Sequence, residues 1–139
     1  MNVSADVRAL NPGVNLKRVR LKAEPTESPL ESLLMEKLAE AGIPTPTREF
    51  PFALSRGRKF RFDAAWIEER VAIEVQGGTW TKGAHSSGKG LRRDFQKNNL
   101  AVALGWRVLL CDGEMIRNGE IVDAVKQTFE LLNTDVVKW

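Results

Sequence analysis

One cysteine, Cys111, and one histidine, His85, are all that the chain carries of either residue. No internal disulfide can form, and zinc sites built from several thiolates or imidazoles are excluded. No apolar run reaches the roughly 18 residues that a membrane-spanning helix needs. The opening Met1-Asn2-Val3-Ser4-Ala5-Asp6 lacks the basic end and apolar core of a secretory signal. A reducing cytoplasm is the simplest expected setting. The 139 residues suit a single domain. With 42% hydrophobic and 28% charged residues, the chain has the balance of an ordinary globular protein, which argues against disorder throughout. The net charge of +3 permits a nucleic-acid partner without requiring one.

The distribution of that charge is more informative than its total. Residues 1–27 carry five basic and three acidic side chains, and residues 28–76 carry seven and eight. Residues 77–104 hold Lys82, Lys89, Arg92, Arg93 and Lys97 against Asp94 alone, a local balance of +4. Residues 105–139 return to a balance of −2. The positive surplus therefore lies mainly in one segment.

Residues 1–27 have no sustained apolar periodicity and contain Asn11-Pro12-Gly13 and Pro25, so they are expected to form an extended basic arm. The domain is expected over 28–139. Ser28-Pro29-Leu30-Glu31 reads as a helix start: Ser28 to cap, Pro29 in the first turn, Glu31 to complete a capping box. Leu30, Leu33, Leu34, Leu38 and Ala41 follow at helical spacing, and Gly42 ends the run. Glu36, Ser32 and Glu40 fall on its solvated face. After Ile43-Pro44-Thr45-Pro46 comes an extended segment from Arg48 to Ala53, then a turn at 55–58.

Two alternating runs follow. In 59–64, Phe60 and Phe62 point one way and Arg61 and Asp63 the other. In 70–76, Val71, Ile73 and Val75 share one face and Ala72, Glu74 and Gln76 the opposite one. The short link at Glu68-Glu69 predicts an antiparallel hairpin. A glycine-rich loop is expected over 77–90, a helix over 91–104, an apolar strand over 106–111 and a last helix over 120–132. The predicted order is α-β-β-β-α-β-α, an α/β fold without internal repeat. Trp66, Trp106 and the phenylalanines are assigned to the core.

Asp63 and Glu74 fall on the same side of neighbouring strands, with Gln76 two residues further on. Paired carboxylates are hard oxygen ligands suited to Mg²⁺ or Mn²⁺, and such an ion polarises a phosphodiester and activates a water. The same pair also suits an ordinary half-exposed sheet face. Three features favour the metal reading: helices flanking the sheet, Gly77-Gly78 ending the Glu74 strand, and the +4 segment beginning at once afterwards.

The ordered set of a helix with Glu31, then Phe62-Asp63, then Ile73-Glu74-Val75-Gln76, then a helix and an apolar strand resembles the PD-(D/E)XK nuclease superfamily. The likeness covers about residues 28–112 and is closest to its small phage and bacterial endonuclease-like proteins. Their third core strand reads Glu-x-(Glu/Gln)-Gly-Gly, followed by a Gly/His loop and a helix with an Asp-x-x-Lys-x-Asn run. Here these pieces are Glu74-Val75-Gln76-Gly77-Gly78, the loop with Trp80 and His85, and Asp94-Phe95-Gln96-Lys97-Asn98-Asn99.

The resemblance implies a restriction-endonuclease-like αβββαβ core with a mixed central sheet flanked by helices. It also implies metal-dependent hydrolysis of DNA in a bacterial cytoplasm, with a phage gene among the sources. Asp63, Glu74 and the Val75 carbonyl would hold the metal, and Glu31 would reach it directly or through water. Gln76 departs from the pattern, because the family usually has lysine there. Gln76 donates hydrogen bonds but carries no charge. Lys97 can compensate from the following helix; its plain alternative is a surface pair with Asp94.

For nucleic acid, the resemblance raises His85 as a phosphate contact or general acid/base and Trp80 as a stacking platform or a loop anchor. Lys82, Lys89, Arg92 and Arg93 suit backbone phosphates, giving affinity with little sequence reading. Nucleases of this type often pair to cut two strands, so a homodimer belongs to the expectation. Three readings stand: a metal-dependent DNA nuclease, a weak or inactive DNA-binding module on the same fold, and an interaction protein whose carboxylates are surface decoration.

Overall fold

In a computed structural model, residues 28–76 and 88–134 are described. The expected basic arm and most of the glycine-rich loop, with Trp80, Lys82 and His85, lie outside the described residues. Helix α1 spans Pro29–Glu40, β1 Thr47–Phe50, a 3-10 turn Leu54–Arg56, β2 Phe62–Trp66 and β3 Val71–Gln76. Helix α2 then covers Gly88–Ala103, β4 Arg107–Asp112, a short α3 Gly113–Arg117 and α4 Glu120–Leu132.

The strands form one mixed four-stranded sheet in the order β1-β2-β3-β4. β1 and β3 flank β2 antiparallel, with Ala64 paired to Ile73 and Ala65 to Ala72. β4 runs parallel to β3, with Glu74 opposite Leu110 and Gln76 opposite Asp112. A parallel neighbour needs a crossover connection, and α2 lies on it. The chain is thus α/β with a mixed open sheet. Among the described residues no helix is long and apolar enough to cross a membrane.

Each sheet face carries its own core. On one face Leu34 and Leu38 of α1, Ile116 of α3, and Ile121 and Val125 of α4 bury Val71, Ile73 and Trp66. On the other, Phe52, Phe60, Phe62 and Trp106 gather around Ala65, Ala72 and Ala101. Phe52 stacks on Phe62 with centroids 3.9 Å apart, and Trp106 tilts against Phe62 at 4.9 Å. Each large buried side chain contributes about 1.5–3 kcal/mol through removal from water. The buried Trp66 keeps its indole N–H satisfied by donating to the Pro44 carbonyl at 2.7 Å.

Several sequence expectations are corrected. Ser28 occupies the N-cap position of α1 but makes no side-chain capping bond, so the capping box does not form. β2 begins at Phe62 and takes in Trp66, leaving 59–61 as the approach to the strand. α2 starts at Gly88, so Lys89 stands in its first turn and not in a loop. The short α3 had no sequence signal. Phe95 is 57% exposed and is not core, and Leu91 and Val102 on the same helix are 47% and 63% exposed. α2 reaches its core through the fully buried Ala101 instead, because a small side chain permits close approach to the sheet.

Candidate metal and phosphodiester site

The polar end of the sheet gathers four carboxylates from three strands and a helix. Asp63 is the second residue of β2, Glu74 the fourth of β3 and Glu31 lies in the first turn of α1. The β1–β2 register places Glu49 across from Asp63, between the Arg48–Ala64 and Phe50–Phe62 pairs. Carboxylate oxygens of Glu31, Glu49 and Asp63 all lie within 4.8 Å of one another. Like charges facing each other across a sheet are destabilising, so this convergence has a cost to the fold.

The backbone holds these groups in place. Asp63 Oδ2 accepts a hydrogen bond from the Val75 N–H at 2.7 Å, tying β2 to the end of β3. Arg48 Nη2 donates to Glu31 Oε2 at 3.0 Å, which anchors the start of α1 to β1. Glu31 is therefore turned toward the sheet and not spent on the helix cap. Glu49 has φ of 48°, in the left-handed region that side chains other than glycine rarely adopt. Such strain costs on the order of 1–3 kcal/mol and persists only where surrounding structure imposes it.

Lys97 Nζ donates to Glu74 Oε1 at 2.6 Å, with both side chains largely buried. The surface pairing of Lys97 with Asp94 is thus displaced by a contact that crosses from helix to sheet. Glu74, Gln76, Lys97 and Phe62 line a cavity of about 340 Å³ that continues to Phe95 and Leu110. Gln76 is exposed at its mouth. A second cleft of about 430 Å³ contains Glu49, Asp63 and Lys97, with Lys59, Arg61 and Arg93 around them. Lys89, Arg92 and Arg93 are all exposed on the first two turns of α2.

Burial pushes the Glu31 carboxyl up to about 7, and the charges of Asp63, Glu49 and Glu74 push in the same direction, as does a hydrogen bond with Asp63. Burial likewise raises Glu74 to about 7; the Lys97 hydrogen bond and charge oppose the shift, while Asp63 and Glu49 add to it. Near neutrality the cluster thus holds protons that a cation can displace. Burial also raises the Cys111 thiol to about 12, consistent with an inert core side chain.

The structure brings together Glu31, Asp63, Glu74 and Lys97 and places Gln76 and the Val75 backbone at the same strand end. Among the described residues, the carboxylate trio that converges contains Glu49 in place of Glu74. Nothing in a one-dimensional pattern marks Glu49, because only the β1–β2 register sets it against Asp63. Glu36 and Glu40 are exposed, away from this cluster. No family model, curated protein or solved structure matches the chain.

Proposed function

We propose that the chain is a metal-dependent endonuclease that hydrolyses DNA phosphodiester bonds on a restriction-endonuclease-like core. The observation that carries the reading is the convergence of Glu31, Glu49 and Asp63 beside the Lys97–Glu74 ion pair. The donor set fits Mg²⁺ or Mn²⁺: three carboxylates supply hard oxygens, and their mutual repulsion is the kind a divalent cation relieves. Glu31, Glu49 and Asp63 would hold the ion, with Glu74 and the Val75 carbonyl alongside. When bound, the ion polarises the phosphoryl oxygen and lowers the pKa of its water.

The remaining work falls to the chain's own groups. Lys97 takes the place of the strand lysine that Gln76 lacks: it brings a cation to Glu74 from the helix side and offers its other N–H donors to phosphate oxygens. Glu74, with its raised carboxyl, can accept and release a proton near neutral pH. Gln76 donates neutral hydrogen bonds at the mouth of the same cavity. Lys89, Arg92 and Arg93 at the start of α2 meet backbone phosphates with little dependence on sequence.

The test is incubation of purified protein with Mg²⁺ or Mn²⁺ and linear, supercoiled and branched DNA. Cleavage that disappears in Asp63→Ala and Glu74→Ala is the expected result. Absence of cutting on every substrate, or undiminished cutting by both variants, would overturn the proposal.

A further inference from the structure

Two arginines from distant parts of the chain converge on one buried ring. The Arg58 guanidinium carbon lies 4.2 Å from the Phe60 ring centroid, and that of Arg93 lies 5.8 Å from it. Phe60 is 4% exposed and belongs to the aromatic core with Phe52 and Phe62. The platform is therefore rigid. Stacking on a ring fixes a guanidinium while leaving its N–H edge available. Arg58 gives one donor to Gln96 Oε1 at 3.3 Å, which ties it to α2. Among the described residues neither arginine has an ion-pair partner.

Two like charges gathered at one apolar ring repel each other, and among the described residues no carboxylate pairs with either. The ligand that relieves this is an anion able to face both guanidiniums. Phosphate oxygens match the planar fork of arginine in two-point geometry. The location narrows the choice further. Phe60 and Arg93 line the same cleft as Glu49, Asp63 and Lys97, with Lys59 and Arg61 also on its wall. An anion drawn into that cleft must overcome the repulsion of Glu49, Asp63 and Asp94, so a fixed cationic grip beside the carboxylates has a clear purpose.

We propose that Arg58 and Arg93, held on Phe60, grip one backbone phosphate of a nucleic acid next to the phosphate presented to the carboxylates. The inference rests on the nuclease reading for its substrate class, but binding and cleavage can be measured apart. Neither arginine reads bases in this arrangement. Arg58 had no sequence signal, because its approach to Phe60 and Gln96 is decided by tertiary packing.

The experiment is fluorescence-anisotropy titration of two labelled DNA duplexes of unrelated sequence, in EDTA, across a series of salt concentrations. Full-length wild type is compared with Arg58→Ala, Arg93→Ala and Arg58→Lys, each checked for an unchanged melting profile. Each alanine variant is expected to bind both duplexes about 10-fold more weakly, and to lower the slope of log affinity against log salt by about 1. Arg58→Lys should recover part of the affinity through its charge, but not all, because lysine lacks the fork. Unchanged affinity and slope in both alanine variants would overturn the grip, as would a loss confined to one sequence. Arginine-dependent binding without cleavage at any metal concentration would sink the nuclease reading and leave the grip standing. Cleavage with arginine-independent binding would do the reverse.

Discussion

Lys97 Nζ on α2 and Glu74 Oε1 on β3 are 2.6 Å apart, an ion pair between residues 23 positions apart in the chain. The contact delivers a cation to a strand end where Gln76 supplies none. Both side chains are mostly shielded from water, so the pair is screened less than a surface bridge.

If Lys97 carries the charge that the strand lacks, Lys97→Ala should reduce the rate of Mg²⁺-dependent plasmid cleavage by on the order of 10²–10³, the scale for losing one transition-state donor. Adding Gln76→Lys to that variant should recover part of the loss, because both positions line the same cavity. A Lys97→Ala protein that cuts at the wild-type rate would refute this role.

Asp63→Asn preserves an acceptor for the Val75 N–H while removing one negative charge from the trio. The fold should therefore survive, while Mn²⁺ affinity measured by calorimetry falls at least about 10- to 100-fold. Equal affinity in the variant would remove Asp63 from the metal set.

The raised carboxyls of Glu31 and Glu74 make apo stability depend on pH in a defined direction. Each moves from 4.5 to about 7, so between these values the folded state holds protons that the unfolded chain has released. Stability contributed by these groups is greatest below pH 4.5, declines as pH rises, and levels off above about 7. Glu31→Gln, which cannot ionise, should gain melting temperature relative to wild type on going from pH 5 to pH 8. Saturating Mg²⁺ should diminish that gain, since the ion then neutralises the cluster. A wild-type advantage that grows with pH would contradict the assignment.

The second core is built from stacked and tilted aromatic rings around Phe52 and Phe62. Phe62 is 1% exposed and lies 3.9 Å from Phe52 and 4.9 Å from Trp106, centroid to centroid. Phe62→Ala should cost about 3–5 kcal/mol in urea unfolding. A loss below about 1 kcal/mol would mean that this face is loosely packed.

Much of the frame was legible in one dimension. The 3.6-residue stripe of Leu30, Leu34 and Leu38 announces a helix, and the period-two runs around Phe62 and Ile73 announce neighbouring strands. Alternation predicts Asp63 and Glu74 on one side of a hairpin, whereas on folding Glu74 lines a cavity with Phe62 and Asp63 groups with Glu31 and Glu49. Glu31 was visible as an acidic residue at a helix start, although its partner is Arg48 and not the helix cap. Phe95 misled, because an apolar residue at helical spacing is core only if the helix turns that side inward.

Periodicity and turn chemistry are local properties, so the sequence by itself determined the order of the long helices and strands, the hairpin and the segregation of positive charge after β3, but not the short α3. Contacts between elements are not local. The β1–β2 register alone sets Glu49 against Asp63, the seating of α2 on Ala101 carries Lys97 to Glu74, and packing around Phe60 brings Arg58 to Arg93. Each depends on how far and at what angle two elements approach, which is settled by side-chain volume and burial across the whole core. Of the positive charges that follow β3, Arg93 and Lys97 come to line a cleft with Glu49 and Asp63 only on folding.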